Sequence, residues 1–167
     1  MAKKNIDNFI GQITNGDSAV VLSSIKSNSV DLVVTSPPYD ELRDYNNDSV
    51  WDFNTFKKIA RQLYRVIKDG GVVVWVVGDS VVKGNKSLSS FKQALYFQQI
   101  GFNMFDVIIY EKAGTAPPHK NRYFNAFEYM FVFSKGKPKT FNPIMIPCKY
   151  AGTTHWGNVT FHKTNDS

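Results

Sequence analysis

Only one cysteine, Cys148, occurs in the 167 residues. A single thiol excludes an internal disulfide framework and agrees with a reducing cytoplasm. Histidine is nearly as scarce. His119, His155 and His162 do not combine with that cysteine at metal-ligand spacing, so no metal is expected. The longest apolar run is Val72–Val77, far short of the ~20 residues that span a bilayer, so no membrane partner is expected. The first residues, Met1-Ala-Lys-Lys-Asn, carry charge with no apolar stretch behind it, which excludes a secretory signal. There is no internal repeat and no low-complexity segment. What the chain does have is 43% hydrophobic residues, enough for one domain with its own core, and a net charge of +6. That excess suits a polyanion, although charge alone does not name one.

Phe9–Thr14 reads as a short strand, followed by a turn at Asn15-Gly16. Asp17–Ile25 reads as a short helix that Asp17 or Ser18 can cap. Val30–Thr35 is rich in β-branched residues and reads as a buried strand. Glu41–Trp51 reads as a loop. Asn54 is a good N-cap for a helix reaching Val66, with Phe56, Ile59, Ala60, Leu63, Val66 and Ile67 at helical spacing. Asp69-Gly70-Gly71 is expected to stop that helix. Val72–Val77 is a second buried strand, ended by Gly78-Asp79. Ser87–Ile100 is another helix, closed by Gly101. Phe102–Tyr110 and Phe127–Phe133 are two further strands, joined by a linker holding Gly114, Pro117 and Pro118. This order predicts an α/β chain with a mainly parallel sheet and an antiparallel edge hairpin, because two strands in succession need no crossover helix. Residues 1–140 form the expected domain; 141–167 read as an irregular tail.

The most informative segment is Thr35-Ser36-Pro37-Pro38-Tyr39, directly after the strand. Proline lacks an N–H and has a locked φ, so two in succession cannot sit inside a ladder. The chain therefore leaves the strand into a stiff turn at its carboxyl end, where open α/β sheets build sites. A hydroxyl, two carbonyls and a phenol ring held together there can take a flat, hydrogen-bonding ring.

Several blocks in order resemble the beta class of DNA amino-methyltransferases, over roughly residues 10–135. Thr35-Ser36-Pro37-Pro38-Tyr39 is similar to the family's catalytic motif. Asn15-Gly16-Asp17 with Leu22 resembles the segment that touches the cofactor's adenine moiety. Arg65-Val-Ile-Lys-Asp-Gly-Gly71, Gly78-Asp79 and the run from Asn121 to Lys135 resemble later blocks. The resemblance implies a Rossmann-like, S-adenosylmethionine-dependent methyltransferase fold acting on double-stranded DNA in a prokaryotic or phage-infected cytoplasm. It implies catalytic roles for Ser36, Pro37, Pro38 and Tyr39, and cofactor contacts for Asp17, Thr35 and Ser36. The family's glycine-rich cofactor loop, of the form Phe-x-Gly-x-Gly, has no match here. The residues from 141 stand where target recognition would begin. The resemblance thus implies an incomplete catalytic part, with a second copy or a complementing chain expected to supply the rest; the alternative is an inactive, truncated half that needs a partner chain carrying the glycine-rich loop.

The chemistry asks for little more than positioning. An exocyclic amine of cytosine or adenine has its lone pair delocalised into the ring. Accepting both N–H protons, at the Pro37 carbonyl and Ser36 Oγ, localises that pair on nitrogen. The base must first leave the duplex stack, and Tyr39 is the ring expected to stack on it. Serine at the first motif position leans, within the family, towards cytosine N4; adenine N6 is the alternative. Taken singly, these residues have plainer readings. Ser36–Tyr39 reads equally as a structural turn, Asp17 as a helix cap, and Asp79 as a strand-end residue. His119-Lys120-Asn121-Arg122 reads as a phosphate grip or a solvated loop. Tyr45 and Trp51 read as base-pocket walls or as core.

Overall fold

The computed structural model describes residues 3–38, 51–114 and 120–144. Four strands form the main sheet in the order β1-β2-β6-β5: β1 is Val30–Thr35, β2 is Ile67–Val77, β5 is Asn103–Glu111 and β6 is Phe127–Ser134. A separate two-stranded ribbon consists of β3, Val81–Val82, and β4, Asn85–Lys86. The helices are α1, Ser18–Ser24, α2, Phe53–Val66, and α3, Ser89–Gln99. Alternation along β2 sends Val73, Trp75 and Val77 to one face, in register with Phe133, Phe131 and Tyr129 of β6. Rings of α2, α3 and the sheet close that face. Phe56 lies 5.7 Å from Trp75, and Phe97 lies 5.2 Å from Trp75 and 4.5 Å from Phe133. These centroid distances are those of packed aromatic pairs.

The antiparallel edge is present as β5 and β6. The balance of the sheet differs from the expectation of a mainly parallel one: β1 and β2 run parallel, but β6 runs antiparallel to both β2 and β5. The reason lies at the amino end. Phe9–Thr14, expected as a strand, is not one. A 3-10 turn covers Ile6–Phe9, Gly11 follows at φ +70°, and Ile13 is fully exposed. Among the described residues β1 is consequently an edge strand. Its β-branched run predicts a buried strand, yet Val30 and Val33 are only partly buried against the core, while Leu32 and Val34 are 57% and 63% exposed.

Three local expectations also change. Asp52, not Asn54, caps α2; its Oδ1 accepts from the Thr55 N–H at 2.7 Å. That bond and its neighbours hold the Asp52 carboxyl below the usual carboxylate range. Asp69-Gly70-Gly71 does not stop the helix. α2 ends at Val66, and the two glycines make an irregularity inside β2, where the pairing with β1 jumps from Val30↔Ile67 to Leu32↔Val72. Gly70 sits at φ +82°, and a Cβ on Gly71 would stand 2.9 Å from the Asp31 carbonyl oxygen. The third change is the β3–β4 ribbon itself, which falls between two expected elements.

Candidate functional site

Because β1 and β2 are parallel, their carboxyl ends share one edge of the sheet. Thr35-Ser36-Pro37-Pro38 leaves β1 there, and Gly78-Asp79-Ser80 leaves β2. Pro37 is buried and Ser36 is exposed. All four residues from Thr35 to Pro38 line a hollow of about 400 Å³, within the ~300–1,000 Å³ typical of small-molecule sites. Gly16 and Ser18 at the start of α1 form the opposite wall, continued by Val21 and Leu22. The floor is apolar: Ile59 and Leu63 of α2 with Trp75 of β2. Trp75 is held in place by its own polar end, which donates from Nε1 to Gln93 Oε1 at 2.7 Å inside the core.

α1 is short and has no buried residue, so its placement depends on a tether. Arg65 of α2 supplies one. Its Nη2 donates to the Leu22 carbonyl at 2.7 Å and its Nη1 to the Ile25 carbonyl at 2.8 Å. Gln62 Oε1 orients the guanidinium through Nε at 2.9 Å. The fork thus meets the bare carbonyls at the carboxyl end of α1, where a cation also suits the helix dipole.

Of the expected cofactor residues, Thr35 and Ser36 line the hollow. Asp17 does not. Its Oδ1 accepts from the Val20 N–H at 2.9 Å, capping α1, and its side chain borders an outer groove with Lys58 and Arg61. It shapes the site through Gly16 and Ser18 on either side. Tyr39 lies outside the described residues, as do Tyr45, His119, Cys148, His155, His162 and Trp156. Asp79 also proves to be a cap. Its buried carboxylate accepts from the Ser90 N–H at 2.9 Å and from Ser90 Oγ at 2.7 Å, holding the amino end of α3.

Trp51 answers to both of its readings, since it packs against the hydrophobic core and also lines a cavity. It borders the hollow, and it also borders a second one of about 370 Å³ that reaches Ser80, Val82, Ser87 and Lys92. The floor residues Ile59, Leu63 and Trp75 carried no functional signal in the sequence, since apolar residues at core spacing look alike whether they touch a cavity or a neighbour. Among the described residues, no group of three or more His, Cys, Asp or Glu is placed to hold a metal, and no helix is long and apolar enough to cross a membrane.

Known proteins share this architecture. The Orphan methyltransferase M.BamHII of Bacillus amyloliquefaciens is 60% identical over 114 residues, covering 68% of this chain and 42% of its own length. The Type II beta methyltransferase M.BslI of a Bacillus species is 34% identical over 166 residues, covering 81% of this chain and 18% of its own. The chain therefore spans less than half the length of these relatives. TTHA0409 of Thermus thermophilus, solved in complex with S-adenosyl-L-methionine, superimposes with a TM-score of 0.58 at 27% identity. That match covers 78% of this chain and 56% of the other. Residues 30–162 match the family model described as DNA methylase, and this stretch begins with β1 and the Thr35–Pro38 turn. The chain belongs to the N6/N4 DNA methylase family.

Proposed function

We propose that this chain carries the amine-activating part of an S-adenosylmethionine-dependent methyl transfer to DNA, with the N4 amine of a flipped-out cytosine as acceptor. One observation carries the reading: the Thr35–Pro38 turn stands at the carboxyl end of a parallel strand and lines a hollow of small-molecule size. The hollow's makeup fits the cofactor. Its apolar floor suits an adenine ring, and Gly16 leaves room for close approach. The bound S-adenosyl-L-methionine of TTHA0409, at 27% identity, supports the same cofactor. When bound, it supplies an electrophilic sulfonium methyl.

The chain's own residues then have defined tasks. Thr35 and Ser36 border the cofactor, and Asp17 fixes the amino end of α1 against it. The Pro37 carbonyl and Ser36 Oγ accept the two amine protons and so localise the nitrogen lone pair. Pro38 stiffens the turn, and Tyr39 stacks on the extruded ring. Double-stranded DNA is the partner, met in the cytoplasm. Nucleoside mass spectrometry of duplex DNA treated with the protein and cofactor tests this. N4-methylcytosine is expected, and N6-methyladenine would transfer the reading to the other amine. Full activity in Pro38→Ala and Tyr39→Ala variants would refute the roles assigned to the turn.

A second reading has its own observation. Leu32 and Val34 of the edge strand β1 are more than half exposed. This favours a second copy or a complementing chain that covers β1 and completes the cofactor wall. Calorimetric titration of S-adenosylmethionine distinguishes the two: tight binding by monomeric protein excludes the need for a partner.

A further inference from the structure

We infer that the β3–β4 ribbon and the segment 120–124 together form a face that grips the phosphate backbone of duplex DNA beside the site. The inference rests on the methyl-transfer reading only for the choice of DNA as the polyanion. The ribbon turns through Lys83 at φ +47° and Gly84 at φ +82°, the two left-handed residues of a tight hairpin. Its tip is thus a fixed structure that presents Lys83 and Lys86. Arg122 joins the second segment to it by donating from Nη2 to the Gly84 carbonyl at 2.5 Å. Lys86 also borders a small hollow with Asn125, the residue that directly follows the second segment. Val82, on the other side of the ribbon, borders the second hollow with Lys92 of α3.

Neither segment contains an acidic residue. Among the described residues the ion pairs are Lys68–Asp31, Lys112–Glu128 and Lys135–Asp69, so Lys83, Lys86, Lys92 and Arg122 keep their charge for another molecule. Asp52 and Asp79, which border the two hollows beside the ribbon, are committed to capping α2 and α3. Tyr123 is 98% exposed and Phe124 is 50% exposed, directly after Arg122. The cations meet phosphates, and the uncovered Tyr123 hydroxyl beside them is a further donor to a phosphate oxygen. The face adjoins the site because Trp51 borders both the Thr35–Pro38 hollow and the hollow of Val82 and Lys92.

The test is fluorescence anisotropy of the full chain with a labelled duplex over a series of salt concentrations. A Lys83→Gln/Lys86→Gln/Arg122→Gln variant is expected to lower the slope of log K against log salt by about 2.7, near 0.9 per lost phosphate contact. Tyr123→Phe, which removes one neutral donor to a phosphate oxygen, is expected to weaken binding about threefold at an unchanged slope. Lys137→Gln/Lys139→Gln, at the opposite edge of the sheet beside Gly70, is the control and is expected to leave the slope nearly as it was. Circular dichroism melts show whether each variant is folded, and Arg122→Lys preserves the charge if Arg122→Gln does not fold. A slope unchanged in the triple variant, an equal fall per charge in the control, or no duplex binding at low salt overturns the inference. Methylation of DNA by a triple variant with unchanged salt slope would sink this face and leave the methyl-transfer reading standing. Duplex binding lost with the ribbon cations, in a protein that yields no methylated nucleoside, would uphold the face and sink that reading.

Discussion

Replacing Asp79 by alanine should destabilise the fold through α3 and not through any lost surface charge. The carboxylate is buried and holds two short bonds, from the Ser90 N–H at 2.9 Å and Ser90 Oγ at 2.7 Å. Ser87 and Ser89 Oγ add two longer contacts at 3.3 Å, which we count as negligible. Ser90 is fully buried, so alanine at position 79 leaves an amide and a hydroxyl without a partner and without water. Each such group costs about 1–3 kcal/mol. The hydroxyl can rotate towards a backbone carbonyl, which puts the total nearer the lower end, at about 2–4 kcal/mol. In urea, with a slope of about 1–3 kcal/mol per molar, the midpoint should fall by roughly 1–2 M. Asp79→Asn keeps an oxygen for the Ser90 N–H, and its amide can donate to Ser90 Oγ, so it should lose about half as much. The double-mutant cycle with Ser90→Ala should show a coupling of about 1 kcal/mol or more. An Asp79→Ala protein within about 0.5 kcal/mol of wild type, or a cycle without coupling, would refute the assignment of this carboxylate as a cap.

The other predictions concern the site wall, the sheet and pH. Arg65→Met removes the tether from the Leu22 and Ile25 carbonyls. Hydrogen exchange in α1 should quicken by tenfold or more, the equivalent of about 1.4 kcal/mol, while β6 keeps its protection; uniform quickening would contradict a local role. Gly71→Ala sets a Cβ 2.9 Å from the Asp31 carbonyl oxygen and 3.0 Å from that of Lys68. Backbone must move, so a loss of about 1–3 kcal/mol is expected by urea denaturation, and an unchanged midpoint would mean the strand irregularity relaxes freely. The folded Asp52 carboxyl lies below its ordinary value of 3.8. Its contribution is therefore present above that value and lost as pH falls through the folded one. Asp52→Asn should flatten the acid limb of the stability profile below about pH 4, and an identical limb would argue against the cap. Leu32→Thr and Val34→Thr should each change stability by less than about 1 kcal/mol, because both side chains already face water; losses of several kcal/mol would mean that this face of β1 is covered in solution.

Local chemistry was legible wherever it decides structure by itself. Two prolines after a β-branched run end a strand in any context, and Val30–Thr35 is the strand expected, residue for residue. Asp17 at a helix start bonds the amide three residues on without help from elsewhere. What depends on contacts between distant segments was not legible. Asp79 caps a helix that begins ten residues later, so no spacing rule finds it. Asn54 was the cap expected, and only the geometry of the preceding chain gives that place to Asp52. The site divides in the same way. Its turn was readable because prolines and a serine at a strand end have few alternatives, whereas its floor of Ile59, Leu63 and Trp75 is the core pattern itself. β1 and β2 make the sharpest case. An unbroken run such as Val72–Val77 is what a strand covered on both faces looks like. Here the helix-side residues Val73, Trp75 and Val77 are buried while Val72, Val74 and Val76 are only half-buried, and their partners Leu32 and Val34 on β1 stand in water. Covering one such side chain would contribute about 1.5–3 kcal/mol, and that is the difference by which the Leu32→Thr and Val34→Thr variants tell an open face from a covered one.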